Sequence, residues 1–173
     1  MAEGMERTRR RRLRRLADQQ APAPWLTPAK QQLAHCILSS FEQAFGRPLL
    51  PQSNTEHQAQ ELFCNSTLVL AHDGGSDPCL IYANAPALQL WERNWADMIG
   101  MPSRLTAEPQ ERAARALMLA DALQQHATEG YSGVRISSSG RRFQIHNARL
   151  WTLWGPGHQP CGQGAAFSDW WWL

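Results

Sequence analysis

The side chains able to do chemistry are plentiful in this chain, and their spacing narrows what they can do. His35, His57, His72, His146 and His158 are scattered, at spacings that suit neither a catalytic triad nor a metal site. Cys36, Cys64, Cys79 and Cys161 form no CxxC and have no histidine at zinc-ligand spacing. They read as reduced thiols, mostly core filler, in a cytoplasmic protein. Ser137, Ser138 and Ser139 precede a glycine and suit a hairpin tip, not a nucleophile elbow. The chain is therefore expected not to be an enzyme, and a small enzyme is an alternative reading. The polar groups with most to offer are Arg104, Arg135 and Arg142. A planar guanidinium meets a carboxylate through two parallel N–H bonds, which suits an acidic metabolite. The competing reading pairs Arg135 with Arg142 across strands on the solvent face and ties Arg104 to its own loop.

The elements that must position these groups are legible in outline. Thr27 and Pro28 open a helix whose Leu33, Ile37, Phe41 and Phe45 recur every four residues, and Gly46 closes it. A shorter helix is expected over about Thr55 to Phe63. "STLVLAHD" and "CLIYA" read as two strands of a hairpin with a loose, turn-rich loop. Asn84 then ends the second strand, and its side chain is expected to cap the helix that contains Pro86 and Trp91. Asn94 is expected to cap the turn "WADMIG". From Ala107 to Glu129 the pattern is helical, with Ala113, Leu117, Ala120, Leu123 and Ala127 as one stripe. "YSGVRIS", "RRFQIHNARLWTLW" and "CGQGAAFSDW" close the chain as strands. The alternation in the middle one slips, which predicts a bulge within His146 to Arg149. Small residues in the last imply that something bulky crosses its face, the long helix or a ligand.

At 173 residues the length suits one domain with a real core, and eight tryptophans make much of that core aromatic. The net charge of +2 is unevenly placed. Residues 1 to 20 hold seven arginines against Glu3, Glu6 and Asp18, a net +4, which leaves −2 for the remainder. Residues 1–26 are thus expected to form an unstructured Arg-rich tail and Pro/Ala linker, and residues 27–173 a single domain. The tail allows weak, non-specific phosphate contact with nucleic acid but carries nothing to read bases. No apolar run reaches membrane-span length, and Arg follows Arg where a signal peptide needs an apolar stretch.

"LIYANAPALQLWERNWADMIGMPSRLTAEP", "YSGVRISSSGRRFQIHNARLW" and "CGQGAAFSDW" together resemble the MEKHLA domain, a PAS-related family, over roughly residues 30 to 170. The resemblance implies an α+β fold: a PAS-like five-stranded antiparallel sheet with helices on one face, preceded by an N-terminal amphipathic helix. It implies a sensory or protein-interaction module that binds a small metabolite in the cup of the sheet and modulates dimerisation. In such an arrangement Tyr82, Asn84, Trp91, Arg104, Arg135, Trp151 and Gln163 are the candidate ligand-binding residues. Leu33, Ile37, Phe41 and Phe45 are the candidate homodimer interface. No cofactor is expected. The run "MIGMPSRLTAEP" lacks the reactive cysteine that light-sensing flavin relatives carry there, and His126, the position that would suggest haem, sits near a helix end. Trp170 to Trp172 cannot all face inward on a strand.

Overall fold

The computed structural model describes residues 22–51, 54 and 56–173. The arginine-rich run lies in residues 1–21, outside the described residues. Helix α1, Pro28–Phe45, starts as its sequence dictates: the Thr27 hydroxyl accepts the Lys30 N–H at 3.4 Å. It ends at Gly46, whose φ of 67° turns the chain out of the helix. Helix α2, Gln58–Cys64, follows. Strands β1, Leu68–Asp73, and β2, Leu80–Ala83, form the expected antiparallel pair. Two short helices come next, α3, Ala85–Leu90, and α4, Trp95–Met98. Asn94 caps α4 by accepting the Asp97 N–H at 2.9 Å.

The region beyond α4 departs from the expected single helix. Two single turns of 3₁₀ helix, Ser103–Thr106 and Pro109–Glu111, precede helix α5, Arg112–Gln125. His126, with φ 61°, then reverses the chain, and Ala127 already belongs to strand β3, Ala127–Ile136. The far half of strand β4, Arg142–Trp154, offers backbone partners to Ala127 and Thr128 opposite Trp151 and Leu150. Those ladder bonds outweigh the helical pattern of the local sequence. Ala113, Leu117 and Ala120 are exposed, with Leu117 at 70 %, so these three do not pack on the sheet as their spacing suggests.

All strands lie in one antiparallel sheet, in the order β2-β1-β5-β4-β3, where β5 is Pro160–Phe167. Strand β6, Asp169–Trp172, also pairs with β4. It continues β5 without a change of register, since Arg149 faces Ala166 and His146 faces Asp169. The predicted bulge is present: Asn147 has φ 52° where the β3–β4 register shifts. A compensating irregularity beside Gly130, φ 81°, restores the register. The bulge lets Phe143, Ile145, Ala148 and Leu150 share one face.

That sheet buries both faces. On the inner face Leu68, Leu70, Ile145, Leu150 and Phe167 form a core with Trp91 and Met98. On the outer face Val69, Ala71, Tyr82, Trp151 and Leu153 pack under Ala34, Ile37, Phe41 and Leu62 of α1 and α2. Here the structure corrects one expectation. Ile37 is fully buried and Phe41 nearly so, with Leu33 and Phe45 half-buried beside them. The Phe41 ring stands edge-on to Trp151 at 5.0 Å. The apolar face read as a homodimer interface is therefore spent on the chain's own sheet, where it finds the large apolar surface it needs.

Candidate functional site

Between the inner sheet face and the segments above it lies a partly open cavity of about 50 Å³. Its position follows from strand alternation. Leu70 and His72 of β1, Gln163 and Ala165 of β5, and Tyr131 and Arg135 of β3 turn the same way. Trp91 and Thr106 line it from the helical side. Trp91 is held by the chain on either side of it. Its ring meets Phe143 edge-on at 5.0 Å, a geometry worth ~1 kcal/mol beyond the area buried. Its carbonyl accepts the Ser138 N–H at 3.0 Å.

The next residue, Glu92, anchors the β3–β4 hairpin tip. The Ser137 hydroxyl donates to its carboxylate at 2.7 Å, the Ser139 hydroxyl donates to the same oxygen, and the Ser138 hydroxyl donates to its carbonyl at 2.7 Å. Arg141 lies 3.6 Å from the other carboxylate oxygen. Donation by Ser137 and Ser139, helped by the Arg141 charge, holds the Glu92 carboxyl below its ordinary value. Glu92 adopts a left-handed φ of 54°, uncommon for a residue with a Cβ. The serine run is thus a clasp between the hairpin and the α3 end.

Of the seven candidate ligand residues, Trp91, Arg135 and Gln163 come together in the cavity. The other four do not line it. Asn84 is fully buried but makes no side-chain cap. Its amide oxygen accepts the Val69 N–H at 2.9 Å, and its NH₂ donates to the carbonyls of Thr67 at 2.7 Å and of Leu62 and Asn65 at 3.3 Å each. It sews α2 and β1 to the strand–helix junction. Tyr82 and Trp151 belong to the outer face under α1. Burial raises the Tyr82 hydroxyl well above its ordinary value. Arg104 is exposed and grips Asp77 with Nε at 3.0 Å and Nη2 at 3.2 Å, a surface pair worth ~0–1 kcal/mol. Arg142 pairs with Glu108 at 3.0 Å instead of Arg135.

Sequence reasoning missed His72, Thr106 and Tyr131 as lining residues. Tyr131 had a signal, since it lies four positions before Arg135 on the same strand parity. The bulky object crossing β5 is the Trp151 indole: a Cβ on Gly164 would lie 2.5 Å from its Cε2 and Cζ2. Among the described residues no group of three or more His, Cys, Asp or Glu could hold a metal ion.

The MEKHLA domain family model matches residues 31–172. No curated protein matches the chain significantly. Among solved structures, the PAS domain of a Colwellia psychrerythraea protein superposes with a TM-score of 0.57 at 15 % identity, covering 64 % of this chain and 92 % of that one. A light-oxygen-voltage domain studied with a flavin analogue gives 0.53 at 13 % identity, covering 66 % and 83 %. The Rhodobacter sphaeroides light-oxygen-voltage protein gives 0.53 at 16 % identity, covering 64 % and 61 %. At these identities the likeness is one of fold, and the fold is PAS-like.

Proposed function

We propose, from the premise that this chain belongs to the MEKHLA domain family and folds as a PAS domain does, that it is a non-enzymatic sensory module that binds a small molecule in the cup of its sheet. The observation that carries this reading is the cavity itself. It sits inside an aromatic core yet is lined by Arg135, Gln163 and Thr106. A few convergent polar groups in an otherwise apolar hollow are what a ligand site requires.

The cup is small for the large cofactors of this fold class. Its ~50 Å³ compares with ~300–1,000 Å³ for sites that enclose drug-sized ligands. None of the four cysteines lines it, which argues against a flavin adduct. His126 is exposed and set against Trp154 at 5.1 Å, which argues against an axial haem ligand. The four thiols are free, which supports placing the protein in the cytoplasm. No described helix is long and apolar enough to cross a membrane. Any nucleic-acid contact falls to the arginine-rich run of residues 1–21, and deleting it would abolish salt-sensitive binding.

Native mass spectrometry of the purified full chain, followed by thermal-shift screening of small metabolites, tests the reading. A retained small molecule, or a compound that raises the melting temperature and loses its effect in Gln163→Ala, is the expected result. A chain that carries nothing and responds to no compound would refute ligand binding in the cup.

A further inference from the structure

We infer, building on the reading of the cup as a ligand site, that the ligand it takes is a small carboxylate held by the guanidinium of Arg135. The charges around the cup do not balance. Arg135 is only 6 % exposed and is the one buried arginine among the described residues. An arginine brings its charge with it wherever it goes, and a buried charge without an opposite charge is costly. The exposed arginines are served better than this buried one. Arg104 has Asp77, Arg141 has Glu92, Arg142 has Glu108, and the half-buried Arg149 has Glu129. Among the described residues no Asp or Glu pairs with Arg135. Its Nη1 donates to the Val134 carbonyl at 2.7 Å and its Nη2 donates to the Tyr131 hydroxyl. Both acceptors are neutral, and they leave donors of the five-N–H fork for another partner.

The backbone makes room for this pose. Gly133 lies between Tyr131 and Arg135 on the inner face of β3. A Cβ there would meet Arg135 Nη1 at 3.0 Å and the Tyr131 hydroxyl at 3.2 Å. The missing side chain is the space in which the guanidinium and the phenol lie. The guanidinium carbon stands 5.3 Å from the Tyr131 ring centroid, so one flank of the charge rests on the ring.

The rest of the cup suits the remainder of a short acid. Trp91 lines it, 2 % exposed, and its indole N–H has no acceptor in the protein. That donor matches a second carboxylate oxygen, while Ile145 and Leu150 offer apolar wall. A water-sized heavy atom needs roughly 10–15 Å³ of cavity space, so a cavity of about 50 Å³ encloses roughly three to four heavy atoms, the size of formate or acetate.

The test uses the full chain dialysed into carboxylate-free buffer, with calorimetric titration and thermal shift. Acetate is the probe, acetamide its neutral isostere, and inorganic phosphate the tetrahedral anion. Acetate is expected to stabilise the wild type and acetamide is not. Arg135→Met should abolish the acetate response, and without acetate it should melt no lower than wild type, because it removes an unmatched buried charge. Gly133→Ala, which crowds the guanidinium, should weaken acetate at least tenfold. Equal binding of acetate and acetamide, or acetate binding retained in Arg135→Met, would overturn the carboxylate assignment while leaving the cup a ligand site. Preference for phosphate over acetate would overturn it too. An Arg135→Met variant that fails to fold, with a Gly133→Ala variant that folds and binds acetate as wild type does, would make Arg135 purely structural. No response of the wild type to any probe ends the inference, and the retained-mass measurement then decides the cup reading separately.

Discussion

The side-chain amide of Asn84 reaches back fifteen residues to accept the N–H of Val69 at 2.9 Å, while the Asn84 N–H donates to the Val69 carbonyl at 3.0 Å. Three further backbone carbonyls receive its NH₂. Asn84→Ala leaves these groups buried without a partner and is expected to cost about 2–4 kcal/mol. Asn84→Asp should cost more, because a carboxylate oxygen would face the carbonyls of Leu62, Asn65 and Thr67. Urea unfolding measures both, and losses below 0.5 kcal/mol, about the scatter of surface substitutions, would contradict the role.

The Glu92 clasp predicts a pH dependence. Its carboxyl is held below its ordinary 4.5 by Ser137 and Ser139 donation. The folded value lies below the unfolded one, so the contribution is full above the unfolded value and fades as pH falls through the folded one. The wild type should therefore melt above Glu92→Gln at pH 7, and the gap should close on the way to pH 3. A gap that stays constant over that range would show that the clasp does not depend on the carboxylate charge.

Gly164 is a steric requirement. Its would-be Cβ meets the Trp151 ring, which is itself backed by Phe41. Gly164→Ala should destabilise by about 1–3 kcal/mol, the usual cost of overpacking. Gly164→Ala combined with Trp151→Phe should recover part of that loss in the same unfolding assay, and no recovery would mean that the strain lies elsewhere.

For α1 the prediction concerns stability and not assembly. Ile37→Ala should cost about 2–4 kcal/mol, as expected for a core truncation. Light scattering at ~100 μM, well above weak dimer constants, should give one and the same mass for wild type and variant. A dimer in the wild type that dissociates in Ile37→Ala would restore this face as an interface.

How much of this was readable beforehand depends on the kind of signal. The caps at Thr27, Asn94 and Gly46 are local chemistry and were legible. The bulge at Asn147 was legible because a slip in alternation has few other causes. Which face a candidate side chain takes was not. Leu150, Trp151, Thr152 and Leu153 are all buried, because the sheet is covered on both sides, and a strand buried twice shows no alternation. Tyr82 sits just past an irregularity in the β1–β2 register, which scrambles parity there. Arg104 and Arg135 look alike in sequence, and only tertiary placement gives one an aspartate at the surface and the other a partly open hollow. The β3 start at Ala127 escaped notice because its partners, Leu150 and Trp151, lie more than twenty residues further on.

Gln163 and Gly164 are neighbours on β5. One contributes to the hollow, and the other is pressed by an indole that leans on Phe41. A single peptide link is the whole thickness of the partition between the two compartments. Whatever nudges β5 from the hollow side has a rigid ring waiting on the far side, with the leading helix directly behind it. Two consecutive residues of one strand thus belong to different layers, Gln163 to the hollow and Gly164 to the packing beneath α1.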